Sequence, residues 1–205
     1  MTSSGHRAPL SDVQLRVKAL ESILTEKGLV DQITLDTIID HYENKVGPHL
    51  GAQLVARAWC EPDFKARLLG DGSGTIAEVG LAGIEGTHVV VKENTPQVHN
   101  LIVCTLCSCY PWSILGLPPM WYKSTPFRAR ATRNPRGLLK EFGLKLEDDI
   151  EVRVWDSTAD IRYLVLPMRP EGSEDMAMEE LAALVNRDSM IGTAVVMIDS
   201  KKKTR

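Results

Sequence analysis

Three of the chain's four cysteines fall within six residues, in the run Cys104-Thr105-Leu106-Cys107-Ser108-Cys109-Tyr110. Thiolates this close can converge on one metal ion. The spacing C-x-x-C-x-C places Cys107 and Cys109 on either side of a single residue, Ser108, so an ion held by both sulfurs is drawn against the peptide nitrogens between them. A structural zinc site takes four side-chain ligands, commonly as two Cys pairs or a Cys/His set, and iron–sulfur clusters also usually take four cysteines. The fourth cysteine, Cys60, is distant in sequence and reads as a core thiol. Three sulfurs plus backbone nitrogens, with one position open to water or substrate, fit a mononuclear ion better. Deprotonated amides are strong donors that favour a trivalent low-spin ion, pointing to cobalt or iron rather than zinc. Inert buried cysteines and regulatory thiols are the competing readings. His41, His49, His88 and His99 form no spaced ligand set and read as surface or satisfied core histidines.

The elements that must position this loop follow from periodicity. Ser11 and Gln14 form a capping box ahead of Val13, Val17, Leu20 and Leu24 at helical spacing, with Gly28 as a stop. A second helix is expected over about 34–46, ended by Gly47-Pro48. Two such narrow amphipathic helices bury little against each other, so the segment reads as an arm that packs on another subunit. Shorter helices are expected at about 49–58 and 62–69, with a turn or cap at 71–74 and a further helix to 79. Val89-Val90-Val91 and Leu101-Ile102-Val103 read as buried strands, as do 150–155 and 163–166. The cysteine run therefore begins where a strand ends, in a loop held by a sheet. Residues 128–142 read as helical with a break at Asn134-Pro135, and 174–186 as a helix. The order implies an α+β domain with a helical extension, divided into residues 1–80 and 81–205.

At 205 residues the chain can bury a real core. Its 24 basic and 27 acidic residues give a net charge of −3, which argues against a generic nucleic-acid surface. Lys201-Lys202-Lys203 reads as a solvated tail. No apolar run approaches a membrane span and residues 1–9 carry no secretory core, so the expected location is cytoplasmic.

The run from Val103 to Trp112 resembles the metal-binding segment of nitrile hydratase α subunits. The resemblance continues through Leu115-Gly116-Leu117-Pro118-Pro119 and covers 42–52, Glu93-Asn94-Thr95, Val154-Trp155-Asp156-Ser157 and 187–192. Thr105 and Tyr110 look like the cobalt-type branch, where the iron-type branch usually has serine and threonine. The resemblance implies a layered α-β-β-α domain with an N-terminal arm that embraces a β subunit. It also implies an αβ heterodimer or α2β2 heterotetramer and an activator that assists metal loading. Cys104, Cys107 and Cys109 would supply sulfur, and Ser108 and Cys109 main-chain nitrogen, to Co(III), with Fe(III) the lesser alternative. Cys107 would become a sulfinic acid and Cys109 a sulfenic acid, acting as ligand and as nucleophile or base. The implied reaction is hydration of nitriles to amides.

Ser108, set between two ligands, is expected to hydrogen-bond water or nitrile at the metal. Trp112 is expected to line an apolar pocket, with core or interface packing the alternative. Glu85 stands where many relatives carry glutamine near the substrate. Arg162 and Asp156 are expected in a polar network behind the loop, with a solvated strand-end pair as the rival reading. The γ subunit of thiocyanate hydrolase shares the cysteine cluster; the tryptophan of Tyr110-Pro111-Trp112 favours nitrile hydratase.

Overall fold

The computed structural model describes residues 11–81 and 88–198. Packing divides the chain into two compact units that meet between Lys45 and Val46. The division lies earlier than the expected boundary at 80, for a simple reason. The helices after Val46 carry Leu54, Val55, Phe64, Leu68 and Ile76, which are buried in the same core as the strands.

In the first unit, helix α1 (Asp12–Glu26) opens on the expected capping box. The Gln14 N–H donates to Ser11 Oγ at 3.3 Å, and the Gln14 side chain accepts from the Ser11 N–H at 2.8 Å. Helix α2 (Gln32–Asp40) starts two residues earlier than periodicity indicated, because Asp31 caps it through the Thr34 N–H at 2.8 Å. It runs into a π-helical turn, His41–Lys45. Gln32 stitches the two helices by donating to Glu21 at 2.9 Å. Neither helix buries a single residue; Val13, Val17, Leu20, Ile33, Ile38 and Ile39 are all exposed.

The second unit is mixed α+β. Helices α3 (Pro48–Cys60), α4 (Pro62–Gly70) and α5 (Gly72–Glu78) precede strands β1 (His88–Glu93) and β2 (Val98–Val103). A short helix, α6 (Trp112–Leu115), and a 3-10 turn (Met120–Lys123) follow the cysteine loop. Helices α7 (Thr125–Arg133) and α8 (Pro135–Glu141), split at Asn134 as expected, lead to β3 (Glu151–Asp156) and β4 (Ile161–Leu166). Helix α9 (Met178–Leu184) is shorter than expected from sequence, and α10 (Arg187–Ile191) ends the described elements.

The strands pair in parallel as β1 with β4 and β2 with β3, two pairs rather than one sheet. Helices α4, α5 and α10 pack on the first pair, and α7 and α8 on the second, giving the layered α-β-β-α order. Strand β2 is buried on both faces beyond its first residue, as parallel strands covered by helices are.

A buried polar network ties the layers together behind the loop. Asn94 Oδ1 accepts from the Asn100 N–H at 2.8 Å, and Asn100 Oδ1 accepts from Trp155 Nε1 at 2.8 Å. His99 Nε2 donates to the Gly192 carbonyl at 2.7 Å. Gly192 has φ +94°, and a Cβ there would lie 1.9 Å from the Asn100 carbonyl oxygen, so only glycine closes this contact. Among the described residues no helix is long and apolar enough to cross a membrane.

Candidate metal centre

Strand β2 delivers Cys104 at its buried C-terminal end, and the loop then turns so that the three sulfurs converge. All three Sγ atoms lie within 4.8 Å of one another; Cys104 to Cys107 is 3.5 Å and Cys107 to Cys109 is 3.1 Å. Cys104 and Cys109 are buried while Cys107 is exposed. This is the one His/Cys/Asp/Glu group of metal-ligating geometry among the described residues.

The backbone also turns inward. The Cys107 N–H donates to Cys104 Sγ at 3.2 Å. The amide groups of Ser108 and Cys109 face the Cys107 sulfur. The Cys107 thiol is thereby pulled down to about 7, chiefly by the Cys109 side chain, with Cys104 and the two amides assisting. Burial, followed by the neighbouring Cys107 sulfur, pushes Cys109 the other way, while the Arg162 charge opposes that rise. Three converging sulfurs, with the Ser108 and Cys109 amides beside that of Cys107, form a donor set that fits a mononuclear ion. Clustered thiols facing N–H donors are also where thiolate chemistry is easiest.

Three anchors hold the loop. At its start, Asp156 at the end of β3 accepts from the Thr105 N–H at 2.9 Å and from Thr105 Oγ1 at 2.5 Å. In its middle, Arg128 Nη1 donates to the Leu106 carbonyl at 3.3 Å. At its end, the Tyr122 hydroxyl donates to the Cys109 carbonyl at 2.9 Å. Tyr110 is buried edge-on to Tyr122, and burial raises the pKa of both phenols.

Beside the sulfurs lies a cleft of about 190 Å3 lined by Cys107, Ser108, Cys109, Tyr110, Trp112 and Arg162. The structure thus brings together Cys104, Cys107, Ser108, Cys109, Trp112 and Arg162. Glu85 lies outside the described residues. Asp156 serves the loop start through Thr105 rather than pairing with Arg162, whose guanidinium donates to the Thr158 carbonyl. Arg128 of α7 reaches the loop, whereas Arg130 on the same helix pairs with Glu141. The role of Tyr122 carried no sequence signal beyond an aromatic residue in a proline-rich stretch. Larger cavities, of about 450 and 310 Å3, have no lining residue from the cysteine run.

A mixed α+β protein with a tri-cysteine metal loop at a strand end is the class that fold and site define. The family model described as "Nitrile hydratase, alpha chain" matches residues 11–194. The low-molecular weight cobalt-containing nitrile hydratase subunit alpha of Rhodococcus rhodochrous is 54% identical over 190 residues, covering 93% of this chain and 92% of that protein. The thiocyanate hydrolase subunit gamma of Thiobacillus thioparus is 38% identical over 197 residues, covering 91% and 81%. Among solved structures, a double mutant of the Fe-type nitrile hydratase from Comamonas testosteroni Ni1 superposes with TM-score 0.87 at 43% identity, covering 93% of each chain. The chain belongs to the nitrile hydratase α chain family.

Proposed function

We propose that this chain is the α subunit of a cobalt nitrile hydratase that hydrates nitriles to amides together with a β subunit. The observation that carries the reading is the convergence of the Cys104, Cys107 and Cys109 sulfurs within 4.8 Å of one another. Identity to the cobalt-containing Rhodococcus protein, together with Thr105 and Tyr110 in the loop, supports cobalt over iron.

Cys104, Cys107 and Cys109 would hold the ion through sulfur, and Ser108 and Cys109 through main-chain nitrogen. A low-spin Co(III) so held supplies Lewis-acid polarisation of a nitrile or of water. The remaining work falls to the chain. Cys107 is taken as the sulfinic acid, and Cys109 as the sulfenic acid, which would act either as nucleophile toward the nitrile carbon or as base toward the water that adds to it. The Ser108 hydroxyl orients water or nitrile from between the two ligands. Trp112 forms the apolar side of the cleft, and Arg162 supplies positive charge beside Cys109. Three thiolates and two amidates exceed the charge of a trivalent ion, so the site needs cationic neighbours. Arg162 is one, and the β subunit would bring others. Glu85, where many relatives have glutamine, would place a carboxylate near the substrate and alter proton handling.

The exposed apolar faces of α1 and α2 support their use as an arm around the β subunit, in an αβ heterodimer or α2β2 heterotetramer. An activator is the proposed agent of cobalt loading. The test is a panel of nitriles and thiocyanate offered to the complex purified with its partner. Amide formation is expected, and Cys109→Ala should abolish it and release the cobalt. Thiocyanate turnover without nitrile turnover would assign the chain to the other branch of the cluster's chemistry.

A further inference from the structure

We infer that Tyr122 is a positioning residue for the metal loop, fixing Cys109 through a single buried hydrogen bond; the inference rests on the function proposed above. The Tyr122 side chain is wholly buried, and its hydroxyl donates to the Cys109 carbonyl at 2.9 Å. Of the three loop anchors, this one acts on a cysteine itself. Asp156 and Arg128 grip Thr105 and Leu106, which supply no ligand.

The hydroxyl can hold Cys109 in place because the ring beneath it is buried and packed on several sides. It packs edge-on to Tyr110 at 5.3 Å and to Trp121 at 6.1 Å, and lies tilted against Phe127 at 5.7 Å. Trp121 is in turn edge-on to Phe127 at 4.9 Å and to Phe142 at 4.8 Å. Phe127 belongs to α7 and Phe142 caps α8. The aromatic cluster thus carries the rigid position of the α7–α8 layer to the end of the loop. Close packing on several sides restricts a ring, and a hydrogen bond fixes the distance from its tip.

The Cys109 carbonyl carbon is bonded to the same Cα that carries the sulfur-bearing Cβ, so holding that carbonyl 2.9 Å from the phenol restricts where the Cα can sit. Without the phenol, that carbonyl would lose its one hydrogen bond among those of the described residues. A buried carbonyl left unpaired is costly, so the loop end shifts to find another donor or water, and a shift of the Cys109 Cα carries the sulfur with it. Cys104 would keep its place, because it is set by the end of β2 rather than by the loop.

Tyr122→Phe tests this, because it keeps the ring and deletes only the hydroxyl. In the complex purified with partner and activator, cobalt per α chain should stay near native. The sulfur-to-cobalt charge-transfer band should shift, and kcat should fall about tenfold with KM within about twofold. A purely structural tyrosine would lower the melting temperature and leave the band alone. An unchanged band with unchanged kcat overturns the inference. A second measurement uses the metal-free chain, so that failure of the nitrile hydratase reading is told apart from failure of this one. Alkylation of Cys109 by a maleimide, followed by peptide mapping, should run about fivefold faster in Tyr122→Phe than in the native chain, while Cys104 stays equally protected. Equal Cys109 rates in the two chains would also overturn it.

Discussion

Thr105 and Asp156 show how the loop is held at its first residue, and how unequal the two bonds are. The carboxylate takes both the Thr105 N–H and its hydroxyl. Thr105→Val removes one of these bonds and leaves the charge-assisted backbone bond in place. Asp156→Ala removes both and leaves the Thr105 amide to water. Thr105→Val should lose about 0.5 kcal/mol and Asp156→Ala about 1–1.5 kcal/mol in denaturant titrations, with cobalt content falling in the second variant only. Equal effects in the two variants would show that the backbone bond is not the important one. The convergence of Cys104, Cys107 and Cys109 could be read from spacing, because three thiols within six residues can meet at one point. The anchors could not. Arg128 and Tyr122 are ordinary residues until the chain folds back, and only the packing of α7 and the 3-10 turn brings them to the loop.

At the scale of elements, the segments 93–95, 154–157 and 187–192 converge on one buried network. Its members include Asn94, Asn100, Trp155 and Gly192, with His99 at its centre. Burial lowers the pKa of His99, and the hydrogen bond to the Gly192 carbonyl opposes this only in part. The folded chain therefore holds His99 neutral, while the unfolded chain takes up a proton below about 6.5. The sign follows from linkage. The stabilising contribution is complete above about 6.5 and shrinks as pH falls from there toward the depressed folded value. The melting temperature should accordingly drop between about pH 7 and about pH 5, and His99→Gln should flatten that slope. A slope unchanged by the substitution would place the titration elsewhere. The strands themselves were legible as β-branched runs, and the helix break at Asn134-Pro135 was legible from proline. The pairing was not: β1 lies beside β4, and β2 beside β3, through contacts between residues far apart in the chain. Helix α9 fell short of its expected start because Ser173 and Glu174 are drawn into a turn that Arg169 binds through their carbonyls.

For the whole molecule, the first unit presents Val13, Val17 and Leu20 to solvent on helices that bury nothing of their own. Apolar stripes of this kind are interaction surfaces. Leu20→Asp should weaken association with the β subunit at least about tenfold in analytical ultracentrifugation, and leave the melting of residues 46–205 unchanged. Unimpaired association would remove the arm from the interface. The amphipathic pattern was visible in the sequence; the position of the boundary was not, because α3 to α5 look like α1 and α2 until their apolar faces are seen buried with the strands. The central claim, that the cysteine loop holds one trivalent cobalt, is tested most directly by elemental analysis of the complex purified with its partner and activator. Cobalt is expected at about one atom per copy of this chain, as a mononuclear site requires. Stoichiometric zinc, or no stoichiometric metal, would contradict it.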